Sequence, residues 1–134
     1  MSTHAYIGRT LIDDDHVEWI YCHSDGYPSH ITPTLLQYYN TPEMVDKLIH
    51  LGDISCIYAN IAPPKGAQHT FDNPLPDTTV AYFRDRNEPW KDNKPKYGSR
   101  TGFMNIDDGY KYLYDTKNQE WRIQKGNRFY RLKD

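Results

Sequence analysis

Long apolar runs are missing from this 134-residue chain, and nothing approaches the roughly 18 consecutive apolar residues that a membrane helix needs. Cysteine is scarce: Cys22 and Cys56 alone cannot build a disulfide framework or a four-thiolate zinc site. Basic residues are not in excess, with 16 Lys and Arg against 18 Asp and Glu. The resulting net charge of -2 makes a uniformly basic nucleic-acid binder an unlike match. Met1-Ser2-Thr3-His4 shows no basic stretch leading into an apolar one, so no secretory signal is expected. There is no G-x-S-x-G elbow, no G-x-x-x-x-G-K loop and no H-E-x-x-H helix. Apolar residues make up 37% and mean hydropathy is -0.89, so the core must be small. The expectation is one cytoplasmic domain over residues 1–134, with reduced thiols and no cofactor, metal or membrane partner.

Tyrosine is what the chain has in quantity: 12 Tyr stand beside 3 Trp and 4 Phe. A ring with a polar handle suits half-buried faces and binding surfaces. Charge is also unevenly spread. Residues 1–70 carry 3 basic and 8 acidic side chains, whereas residues 71–134 carry 13 and 10. That polarity permits a charged binding face or a head-to-tail contact between copies.

The spacing predicts a hairpin from His4–Leu11 and Val17–His23, turned by Asp13-Asp14-Asp15. Thr32 followed by Pro33 marks a cap and first-turn proline for a short helix over Thr34–Tyr39. Thr41-Pro42 repeats the device for a second helix, with Met44, Val45, Leu48, Ile49 and Leu51 at helical spacing and Gly52 as its stop. A short strand is expected over Ile54–Tyr58 and another over Thr79–Arg84, flanking a proline-rich irregular stretch. Asn87–Gly98 has the composition of a long loop. Tyr110–Tyr114, Glu120–Gln124 and Arg128–Leu132 alternate around two turns and predict a three-stranded meander. The fold class is therefore α+β: a single antiparallel sheet with one or two short helices on one face. Its other face is expected to carry Tyr residues and be partly open, or covered by a second copy.

Chemistry concentrates in Tyr21-Cys22-His23-Ser24-Asp25-Gly26-Tyr27-Pro28-Ser29-His30. His23 and Asp25, two apart at a strand end, would share a side, with His30 approaching across the turn. One reading is a polar pocket holding an acid/base histidine oriented by a carboxylate. The other is a corner in which Asp25 caps the turn and His23 satisfies a backbone carbonyl. Arg84 and Arg86 would project together from an extended strand and grip a phosphate, or else belong to an ion-pair network. Lys117–Lys133 holds six basic residues and one acidic residue among Trp121, Phe129 and Tyr130. Such alternation suits single-stranded nucleic acid, but equally a sheet with one buried face.

Five segments in order resemble a family of small phage- and prophage-encoded proteins. They are Tyr21, His23, Asp25, Gly26 and Tyr27 of a Y-x-H-x-D-G-Y stretch, and Leu35-Leu36-Gln37-Tyr38-Tyr39-Asn40. Leu48 through Ser55, Phe71-Asp72-Asn73-Pro74 and Val80 through Glu88 complete the series. The likeness spans roughly residues 5–88. It departs at Asn87, where Gly is usual, and at Ser24, where Trp is frequent. The resemblance implies a phage origin, and small accessory phage proteins often counter host immunity. The reading that follows is a non-enzymatic counter-defence protein that captures a nucleotide-derived immune signal. Tyr21, His23, Asp25, Tyr27, His30, Arg84 and Arg86 would form its pocket, and a homo-oligomer would enclose it. Two alternatives are an anti-CRISPR-type inhibitor of a host defence protein and a phosphodiesterase-like enzyme using His23.

Overall fold

The computed structural model describes residues 2–134. Strands β1 (Ala5–Thr10) and β2 (His16–Cys22) form the expected hairpin, with Tyr6 opposite Tyr21 and Thr10 opposite Val17. Asp13 closes its turn by accepting from the Asp15 amide through its side chain and from the His16 amide through its carbonyl. Helix α1 (Pro28–Tyr38) begins earlier than Thr32-Pro33 predicts, because Pro28 already supplies the first-turn proline. Pro33 therefore lies inside the helix and offers Ser29 no amide hydrogen. Helix α2 (Pro42–His50) starts as predicted, with the Thr41 side chain accepting from the Met44 amide. Gly52 follows in the left-handed region at φ 76°.

Strand β3 (Ile54–Cys56) runs parallel to β2 and antiparallel to β4 (Val80–Ala81). The expected strand over Thr79–Arg84 stops there, and the chain turns into helix α3 (Tyr82–Arg86). Asp85 accounts for the turn: its carboxylate accepts from the Ala81 amide at 2.8 Å and fastens the first helical turn. The stretch expected as a loop carries helix α4 (Trp90–Asn93) and strand β5 (Lys96–Ser99), which pairs with the first half of β2. Helix α5 (Arg100–Met104) follows. The meander forms as expected from β6 (Tyr110–Asp115), β7 (Glu120–Lys125) and β8 (Arg128–Arg131).

The strand order is β4-β3-β2-β1-β6-β7-β8, with β5 off this path as a third partner of β2. The α+β class holds, but the sheet is mixed rather than antiparallel, since β1 pairs parallel with β6 and β2 parallel with β3. The β2-to-β3 connection passes through two helices, and such a crossover returns the chain in the same direction. One sheet face buries Ala5, Ile7, Ile20, Cys22, Tyr112 and Trp121 against Ile31 and Leu35 of α1 and Val45, Leu48 and Ile49 of α2. The other face holds only a small cluster of Val17, Phe103 and Leu113, bordered by Tyr6, Trp19 and Phe129. At its far end this second face is open, and Tyr6 and Tyr21 lie there.

Candidate functional site

Alternation along β2 sends Ile20 and Cys22 to the helical face and Tyr21 and His23 to the open one. The hairpin register brings His4 beside them. Gly26 allows this approach: a Cβ there would lie 2.7 Å from the Ala5 Cβ and 2.8 Å from the His4 carbonyl carbon. His4 Nδ1 is 2.8 Å from the His23 carbonyl oxygen, which can only accept, so Nδ1 carries the proton. The Tyr21 hydroxyl lies 2.9 Å from His4 Nδ1 and 2.9 Å from His23 Nδ1. It therefore donates to His23, leaving the Nε2–H of His23 as a donor for something else. Burial, then the neighbouring Tyr6, Tyr82 and Asp108, push the Tyr21 phenol up to about 12, so it keeps that hydrogen at neutral pH.

The rings are close-packed: His4 and His23 are 4.8 Å apart, and Tyr6 and Tyr21 5.3 Å. Asp108 Oδ2 stands 3.6 Å from His4 Nε2, and Lys111 Nζ sits 5.9 Å from the Tyr6 centroid. A cleft of about 380 Å³ opens beside His4, lined by Ser2, Thr3, Asp108, Gly109 and Tyr110. Asp53 underpins the other side. Its carboxylate accepts from the Tyr21 amide at 2.9 Å, and its carbonyl accepts from the Tyr82 amide at 3.2 Å. The Tyr82 ring stacks 5.7 Å from Phe71, over which the Arg86 guanidinium lies at 4.3 Å.

The expected pocket thus divides into parts. Tyr21 and His23 share the open face with His4. Asp25 does not join them, because it adopts φ 55° and the extended path is broken before it. Asp25 instead accepts from the Cys56 thiol at 3.6 Å. His30 joins Asp25 there, donating from Nε2 to the Ile57 carbonyl at 2.7 Å and lying 3.9 Å from Cys56 Sγ. Tyr58 and Tyr27 flank the His30 ring at 5.5 and 6.2 Å. Burial foremost, aided by the Asp25 charge, raises the Cys56 thiol to about 11, so this Cys, His and Asp group holds no resting thiolate. Among the described residues no group of three such side chains could hold a metal ion.

The two arginines also part company. Arg84 turns inward, donating to both Asp85 oxygens, to Ile61 O at 2.7 Å and to Thr79 O at 2.8 Å. His69 completes that network: its Nδ1 accepts from the Leu75 amide, so Nε2–H points to Thr79 O and Asp85. Arg86 is half exposed, and among the described residues its one charged partner is Glu88 at 3.5 Å. In an extended strand the two would share a side, whereas in α3 positions two apart diverge. His4, Tyr6, Asp53, Phe71, Tyr82 and Asp108 were not singled out from the sequence. The Tyr6–Tyr21 pairing was within reach of hairpin register, which continues one pair further to set His4 against His23. No family model, curated protein or solved structure matches the chain.

Proposed function

We propose that this chain is a non-enzymatic binding protein that captures a nucleotide-derived signal on the open sheet face, between His4 and Arg86. The observation that carries the reading is the run of half-buried rings ending in one exposed guanidinium. Tyr6, Tyr21, His4 and His23 offer planar surface and the free His23 Nε2–H, and Tyr82 and Phe71 extend it toward Arg86. Rings of this kind take a base by stacking, and a guanidinium takes a phosphate by charge-assisted hydrogen bonds. Arg84 is reassigned from ligand to scaffold, since internal acceptors occupy its guanidinium. A phage source and a counter-defence role enter through the motif series of residues 5–88, and capture without cleavage is the simplest use of such a face. The same reading includes a homo-oligomer that would enclose this face.

Calorimetry against cyclic dinucleotides, linear dinucleotides and ADP-ribose derivatives tests the proposal. One member of the panel should bind, and Arg86→Ala should weaken it by about 1.5–3 kcal/mol, the scale of a hydrogen bond to a charged group. Ligand released by heating the complex should return chemically intact. A cleaved product would move the assignment to the phosphodiesterase alternative, and silence across the panel would remove the proposal.

A further inference from the structure

Two surface features, well separated along β2, are left without partners among the described residues. The first is the tip of the β1–β2 hairpin. Ile12 is fully exposed there, beside the exposed Asp13, Asp14 and Asp15. The tip is built rather than loose, held by the Asp13 turn bonds and by the Arg100 amide donating to Asp15 O at 2.6 Å. Asp13 pairs with His16, but the Asp14 and Asp15 carboxylates have no ion-pair partner among the described residues.

The second feature is an apolar cleft of about 430 Å³ where α2 ends and α3 and α4 begin, lined by His50, Leu51, Phe83, Arg84 and Trp90. Phe83 and Trp90 are both exposed and meet edge to face at 5.1 Å. The wall is closely packed: a Cβ on Gly52 would lie 2.3 Å from the Asn93 carbonyl oxygen and 3.0 Å from the Trp90 ring. Lys47, one turn before Leu51, Lys91 within α4 and Lys94 at its C-terminal cap are exposed. None of the three has a carboxylate partner among the described residues.

We propose that the Ile12–Asp15 tip of one copy of this chain seats in the Leu51–Phe83–Trp90 cleft of the next. Ile12 supplies the apolar plug, and Asp14 and Asp15 meet the lysines at the rim. The occupant is a second copy because each chain carries both halves of the complementary pair, an acidic tip with an exposed Ile and an apolar cleft beside unpaired lysines. The tip cannot reach its own cleft. It stands at the start of β2, whereas the cleft adjoins β3, which pairs with β2 only at Cys22, about 20 Å along the strand. The contact is therefore heterologous, and repetition gives a closed ring or an open chain of molecules. One short loop in one cleft is small beside a standard interface, so assembly should be weak and concentration-dependent.

Sedimentation velocity over a concentration series tests this. Wild type should sediment faster as concentration rises at low salt, and revert toward monomer at about 0.5 M salt, where screening is strong. Ile12→Asp and Phe83→Asp should each stay monomeric while keeping the wild-type circular dichroism spectrum, and Trp90→Ser serves if Phe83→Asp does not fold. An equimolar mixture of tip and cleft variants should form a dimer and stop there, since one intact tip meets one intact cleft. Wild type that stays monomeric at every concentration overturns the proposal. So does assembly that survives Ile12→Asp, or a mixture that remains monomeric.

Discussion

Arg84 and Arg86 are separated by one residue and have different environments, which makes them the sharpest residue-scale test. Removing Arg84 leaves the buried Asp85 carboxylate with only the Ala81 amide and His69, and frees the Ile61 and Thr79 carbonyls. A fully buried pair costs about 3–5 kcal/mol to break, and the partial exposure of Arg84 brings the expectation for Arg84→Ala to about 2 kcal/mol. Arg86→Ala should cost less than about 1 kcal/mol, since it loses only a cation–π contact and a surface pair. Urea denaturation of the two variants separates them, and equal losses would contradict the division into scaffold and ligand contact. The sequence showed the two arginines but not their directions. That depended on whether Tyr82 continues a strand or starts a helix, which the Asp85 carboxylate decides through a contact four residues back.

At the scale of elements, α1 and α2 differ in how well their local signals agree with their ends. The Thr41 cap is complete, so Thr41→Ala should lower stability by about 1 kcal/mol. Pro33 works against the helix that contains it, removing one backbone bond, although the Thr34 hydroxyl donates to the His30 carbonyl nearby at 2.9 Å. Pro33→Ala should restore the missing amide and raise stability by about 1 kcal/mol, part of the ~3 kcal/mol an interior proline costs. Thermal denaturation checks both signs. Elements with caps and long periodic faces were legible in the sequence, as α2, the hairpin and the meander are. Helices α3, α4 and α5 are too short to display a period. Strand β5 is mostly exposed, so Lys96–Ser99 shows no apolar alternation to distinguish it from a loop.

For the whole molecule, buried charge sets how stability follows pH. Burial raises the Asp53 carboxyl, outweighing the Tyr21 amide and Lys96, which lower it. The folded state therefore favours the protonated form. That contribution is fully present below the unfolded carboxylate value, about 3.9, and is lost as pH rises through the higher folded value. Asp46 has the opposite sign, because the hydrogen bond from Arg9 lowers its carboxyl, but its exposure keeps the effect small. Asp53→Asn keeps an oxygen for the Tyr21 amide and carries no charge to bury. Its stability should fall less than that of wild type from about pH 4 upward, as read from urea midpoints across that window. An unchanged slope would show that Asp53 is ionised at no cost. The parallel pairings were the least legible part of the fold, because nothing local to Ala5–Thr10 announces that Tyr110–Asp115 lies beside it. That arrangement also governs how the chain is made. During synthesis β1 and β2 leave the ribosome about a hundred residues before β6, and the second edge of β1 stays unpaired until Tyr110–Asp115 has followed. A nascent chain stalled before Tyr110 would present a bare, apolar strand edge to its neighbours, so incomplete products are the species most prone to aggregate.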